Sequence, residues 1–238
     1  MNHGLIEKHG RVLPLGQDIR NPNGRALFDR DLIGKYVNRC SFPNVMCWLM
    51  KDITMPPIVH FTDKWLATAM GASLMTRRNQ AENVSEAELK KLVFVPFANP
   101  FRVYELWKDV EAFFNVFEHG AEAFSFNSVG FWNSSDTDLT PIPLETSLTL
   151  QTAIILGELE WEDWELLPGA QLPTRDSVEK ILPGYFDAYD PRRVNKPDKY
   201  VATLTDRMRR RKEFIQRSDI KDRPDLLIKL TQTLKLKN

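Results

Sequence analysis

Apolar and polar positions along the chain alternate between strand-like runs and helical spacings. Asn44-Val45-Met46-Cys47-Trp48-Leu49-Met50 is a continuous apolar run between Pro43 and the Lys51-Asp52 pair, the pattern of a strand buried on both faces. Pro56-Pro57 then predicts an extended turn. Thr62 or Asp63 is placed to cap a helix with Leu66, Met70 and Leu74 on one face. Ser85 with Glu88 reads as a capping box for a short helix. Leu92 to Phe97 is a second strand. From Tyr104 to His119 the spacing of Leu106, Val110, Phe113, Phe114 and Phe117 marks an amphipathic helix, with Gly120 where a C-terminal cap is wanted. Glu122 to Val129 follows as a third strand.

After a polar loop at Asn133 to Asp138, Leu144 to Leu156 reads as a helix ended by Gly157. Trp161 and Trp164, in the acidic stretch Glu158 to Glu165, offer large packing area for the core or an interface. Short proline-punctuated turns follow. Val201, Leu204, Met208 and Ile215 then recur at helical spacing in a basic terminal helix over 198–217. Strands alternating with helices predict an α/β fold, a mixed sheet flanked by helices. No linker or repeat divides the chain, so residues 1–238 are expected to form a single domain opened by an irregular, Gly-, Pro- and Asn-rich segment at 1–43.

Composition agrees with a globular chain: 238 residues, 42% hydrophobic and 27% charged, enough for a sizeable core. The longest apolar runs, such as Ala153 to Leu156, fall far short of the roughly 20 residues that span a bilayer. Met1 to Lys8 has no basic region followed by an apolar stretch and a cleavage site, so a cytoplasmic location is expected and no membrane partner. Cys40 and Cys47 are the only cysteines, a number that suits reduced core or interface thiols.

Charge is zero overall but unevenly spread. Of 32 basic and 32 acidic residues, 15 and 6 lie from Arg192 onward, leaving that segment near +9 and the rest near −9. A nucleic-acid module would start from Arg207, Arg209, Arg210, Arg211 and Lys212. The stronger reading makes these residues the solvated face of an amphipathic helix that docks on an acidic body.

Three landmarks stand in order near the C-terminus: Leu172-Pro173-Thr174, Leu182-Pro183-Gly184 and Asp190-Pro191-Arg192. Earlier segments extend the series. They are Asn23-Gly24-Arg25 with Ile33 in register, Cys47 to Asp52 running into Pro56-Pro57-Ile58-Val59, Thr76-Arg77-Arg78, Phe94 to Phe101, Gly120 to Phe131, and Ile142-Pro143-Leu144-Glu145-Thr146-Ser147 with Ala153 to Gly157. In this order the segments resemble the C-terminal portion of the nucleotide-binding domain of ATP-dependent phosphoenolpyruvate carboxykinases, over most of residues 20–217. The resemblance implies a divergent, uncharacterised bacterial branch of that superfamily. It places Arg25 on a substrate-site arginine facing the transferred phosphoryl group, a task suited to a planar, permanently charged fork. It places Ile142 and Ser147 beside the nucleotide, Ser147 replacing a threonine hydroxyl.

The family's phosphate loop, acidic metal-binding motif and metal-ligating lysine and histidine would lie upstream of Met1. Phosphoryl transfer needs that cradle, a lysine and metal ions, so this chain alone is expected to hold no cofactor and to be inactive. ATP and Mg²⁺ or Mn²⁺ are implied for a complete parent lyase, with the upstream remainder of that larger protein as partner. Gly34-Lys35 does not complete a phosphate loop, and His3, His9, His60 and His119 show no metal-ligand spacing. Pro141 stands where the family has an arginine, so nucleotide recognition is expected to be altered. The alternative is a stand-alone non-catalytic remnant with an assembly or regulatory role; a nucleic-acid module using the basic tail ranks below it.

Overall fold

The computed structural model describes residues 41–77, 91–135 and 138–237, and the backbone of two short strands further upstream. The chain divides into two units, one of residues Met1–Ser41 and Arg77–Lys91, the other of Phe42–Thr76 and Leu92–Asn238. In the first unit β1 (Ile6–Lys8) and β2 (Arg11–Leu13) pair antiparallel, inside the stretch expected to be irregular. Arg25, Cys40 and the Ser85/Glu88 capping box lie outside the described residues.

The second unit is α/β, built on a five-stranded mixed sheet flanked by helices. Its order is β10 (Trp161–Asp163), β11 (Ala170–Pro173), β4 (Ile58–Phe61), β7 (Glu122–Asn127) and β3 (Val45–Met50). Only the β3–β7 pair is parallel; the other three ladders are antiparallel. A parallel pair requires a crossover, and here it carries α1 (Lys64–Ala72) and α2 (Leu106–Glu118). Both pack on the face that holds Trp48, whose indole meets Phe113 and Phe117 of α2 edge-on. Gly71 permits this contact, because a Cβ there would stand 2.8 Å from both Phe97 and Trp48.

Local chemistry sets the helix ends. Asp63 caps α1, its Oδ1 accepting from the amides of Trp65 at 2.7 Å and Leu66 at 3.0 Å. Leu66 and Met70 are buried as expected, while Leu74 is buried just beyond the helix. Gly120, at φ +94, follows α2, and Gly157, in the left-handed region, closes α3 (Leu144–Leu156).

Several expectations are corrected. The 44–50 run is a strand, but at the sheet edge: Trp48 and Met50 are buried while Cys47 and Leu49 are exposed. Leu92 to Phe97 does not join the main sheet. Leu92–Phe94 (β6) pairs with β5 (Met75–Arg77) in a separate two-stranded ladder, and Pro96–Ala98 form a 3₁₀ turn. Of the stretch read as a polar loop, Asn133 to Ser135 belong to β8 (Gly130–Ser135) and Asp138 to β9 (Asp138–Pro141), which pair antiparallel. Strands β4 and β10 form where no element was expected, and β11 forms in the stretch read as proline-punctuated turns.

Two short helices, α4 (Arg175–Ile181) and α5 (Tyr185–Tyr189), lead into α6 (Pro197–Arg217). The basic helix is therefore present, but it is not the last element. A 3₁₀ turn at Asp219–Asp222 and α7 (Pro224–Thr233) follow it. On α6, Leu204, Met208 and Ile215 are buried as expected; Val201 is exposed, and Arg207 and Arg211 are buried rather than solvated. Among the described residues no helix is long and apolar enough to cross a membrane.

Candidate functional site

The three proline landmarks converge on one aromatic ring. β11 ends at Pro173, opposite Trp161, and Thr174 caps α4, its hydroxyl accepting from the Ser177 amide at 3.4 Å. Gly184 turns the chain in the left-handed region, with φ +85. There Glu179 accepts from the amides of Gly184 and Phe186, both at 2.7 Å. Asp190 ends α5 and accepts from the Arg192 amide at 3.0 Å and its Nε at 2.8 Å.

These turns bring the guanidinium groups of Arg175, Arg192 and Arg193 to 5.0, 5.3 and 5.6 Å from the centre of the Phe186 ring. Cations are drawn to an aromatic face by its quadrupole. Arg192 is further held by Glu162 Oε1 at 2.8 Å and Arg193 by Asp187. Arg175 makes no ion pair among the described residues. Beside Arg192 opens a cleft of about 530 Å³ whose lining includes Glu162, Trp164, Pro191 and Lys237. Such a set of donors presents fixed positive edges, with carboxylates already matched to two of the three.

Ile142 and Ser147 lie on either side of the start of α3, 7% and 8% exposed. Ile142 belongs to the hydrophobic core, and the Ser147 amide donates to Pro143 O at 3.3 Å. The Pro141 carbonyl, where the resembling family has an arginine, accepts from the Tyr189 hydroxyl at 2.7 Å. Burial raises the Tyr189 phenol above its ordinary value, which keeps it a donor. That bond ties the segment before α3 to α5, one residue from Asp190. Sequence reasoning missed Arg175, Phe186 and Tyr189; the aromatic spacing Tyr185-Phe186 and Tyr189 between two landmarks was the available signal.

The strand-ending aspartate of the resemblance, Asp52, is fully buried and occupied. Its Oδ1 accepts from the Thr54 amide at 3.1 Å and hydroxyl at 2.8 Å, its Oδ2 from Arg211 at 3.3 Å, and Arg207 Nε stands 3.7 Å away. Arg211 also donates to the Ser73 carbonyl. Burial pulls the Arg211 guanidinium below its ordinary value, and the Asp52 carboxylate opposes that shift. A carboxylate so engaged holds α6 to the end of β3.

His60 is sandwiched differently. Its ring stacks on Phe124 at 4.6 Å and tilts against Trp161 at 5.1 Å, while Nδ1 meets Gln171 Oε1 at 3.2 Å. Among the described residues no three His, Cys, Asp or Glu side chains converge as metal ligands. Neither protein-family models nor curated proteins give a match to this chain.

Proposed function

We propose that the chain is the C-terminal, non-catalytic part of a larger carboxykinase-like phosphoryl-transfer protein, and that α3 is the helix through which it is completed. The carrying observation is the composition of that helix. α3 buries Leu150 and Ala153 against the core, yet its other side exposes Leu144 at 75%, Leu148 at 52%, Ile155 at 80% and Leu156 at 62%. Four large apolar side chains left exposed on one short helix mark an interaction face rather than a solvated one.

The face fits further polypeptide of the same protein better than a second copy of this chain. At 1.5 Å per residue, 13 residues make a helix about 20 Å long, and the face of one such helix falls short of the roughly 800 Å² per partner of a standard interface. Glu145 is the only charge on the helix, and the exposed Leu144, Leu148, Ile155 and Leu156 call for a largely apolar cover. The ATP, the Mg²⁺ or Mn²⁺ and the phosphate loop belong to that covering part.

The test is to extend the coding sequence upstream and compare labelling of Ile155→Cys, with Cys40 and Cys47 both changed to Ser, in the short and extended proteins. Protection of Cys at that position in the extended protein is expected. Equal reactivity in both would overturn the proposal. A native reading frame that starts at Met1 would also overturn it and transfer the same surface to a stand-alone assembly unit.

A further inference from the structure

Between α6 and the segment that follows α7 runs a groove of about 420 Å³, lined by Thr205, Met208, Arg209, Lys212, Leu234 and Lys235 among others. Its floor is apolar and closed, since Met208 and Leu234 are buried. Its rim is cationic, and the three cations differ in kind. Arg209 is neutralised on both sides, by Asp206 at 2.5 Å and by Glu213. Lys212 and Lys235 have no acidic partner among the described residues.

Two uncompensated ammonium groups sharing one groove repel each other. Partial burial, and then the charge of Lys235, push the Lys212 ammonium below its ordinary value. The folded chain therefore bears an electrostatic cost here that a bound anion would remove. We propose that this groove binds a small phosphate-bearing molecule, its oxyanion held between Lys212 and Lys235 above the Met208–Leu234 floor.

Three physical features select that class. A phosphate carries about −1.5 to −2 charges near neutrality, matching two ammonium groups better than a monoanion does. The volume falls within the roughly 300–1,000 Å³ of small-molecule sites. Along α6 the other rim cation, Arg209, is already taken up by Asp206 and Glu213, so the unpaired positive charge of the rim is confined, among the described residues, to Lys212 and Lys235 and suits a compact anion rather than an extended polyanion.

Titration calorimetry of the full chain with inorganic phosphate, pyrophosphate and glycerol 1-phosphate tests this, with glycerol and a short single-stranded RNA as comparators. The inorganic and ester arms tell a free anion from a phosphorylated metabolite. Saturable binding of at least one small phosphate is expected, weakened about 10- to 100-fold by Lys212→Gln or by Lys235→Gln. Without ligand, Lys212→Gln should leave the melting temperature equal or higher, because it relieves repulsion; at one phosphate concentration the ligand-induced rise in melting temperature should be smaller in the variants than in the parent. No saturable binding of any small phosphate up to about 10 mM, binding unchanged in both variants, or binding of the RNA alone would each overturn the proposal.

Discussion

The guanidinium of Arg211, in the middle of α6, lies 3.3 Å from the carboxylate of Asp52, just past β3, with both side chains fully buried. Arg207, one turn earlier, approaches the same carboxylate. A single buried anion thus fastens the longest helix to the edge strand. Tyr200 adds a third tie, its hydroxyl donating to the Thr54 carbonyl at 2.8 Å.

Removing one member of a buried ion pair leaves the other uncompensated, which typically costs about 3–5 kcal/mol. Arg211→Ala should lower stability by that amount. Asp52→Ala should cost at least as much, because Arg211 loses its counter-charge and the Thr54 amide and hydroxyl lose their acceptor. Urea denaturation checks both: midpoints should drop with little change in slope, and a midpoint at the parent value would show that the pair does not hold α6.

Asn127 closes β7 with a different device. Its Nδ2 stands 3.0, 2.7 and 2.7 Å from the carbonyls of Asp52, Met55 and Gly130, and its Oδ1 accepts from the Val129 amide at 3.2 Å. Two N–H groups serve three acceptors. Asn127→Ala should cost roughly 2–4 kcal/mol by leaving buried carbonyls without donors. Asn127→Asp should cost more, since it replaces those donors with a charge facing carbonyl oxygens. Thermal melts of the two variants rank them, and an Asp variant as stable as the Ala variant would refute the assignment of the amide.

Burial lowers the His60 pKa, and the Glu122 carboxylate and the Gln171 amide only partly offset that. The unfolded state therefore takes up its proton at a higher pH than the folded state does. Stability from this site is complete above the unfolded value, about 6.5, and declines as pH falls through it. Melting temperatures of the parent should fall between about pH 7 and 5.5. His60→Phe keeps the stack on Phe124 and should flatten that slope; an unchanged slope would assign the effect to other groups.

On α3 the two faces should respond oppositely. Leu150 is fully buried, so Leu150→Ala should cost about 2–5 kcal/mol. Leu148→Gln and Ile155→Gln change exposed positions and should stay within about 0.5 kcal/mol of the parent. Binding of a hydrophobic dye to the folded chain should drop in the double variant. A large loss of stability there would mean that this face is already covered by the chain itself.

Where signals are local, reading the chain residue by residue was sufficient. The helix from Leu144 ends at Gly157 because only a residue at ease with φ +68 closes it there, and the Phe-rich spacing marked α2 for the same kind of reason. Asp63 capped α1 through two of its own near neighbours. The order of the proline landmarks was also legible, though their meeting around Phe186 was not.

Pairing and burial were decided only in three dimensions. An apolar run such as 45–50 becomes an edge strand or a central one according to which neighbours align beside it, a choice with no trace in the run itself. Leu92–Phe94 pairs with β5 instead of joining the main sheet, and the chain then turns at Phe97 and Ala98, both at positive φ, a conformation that neither residue prefers. Arg211 looked like a solvated cation because its partner lies 159 residues away. Helical spacing tells which side of a helix a residue occupies; whether a charge on that side is buried depends on a counter-charge delivered by the rest of the fold.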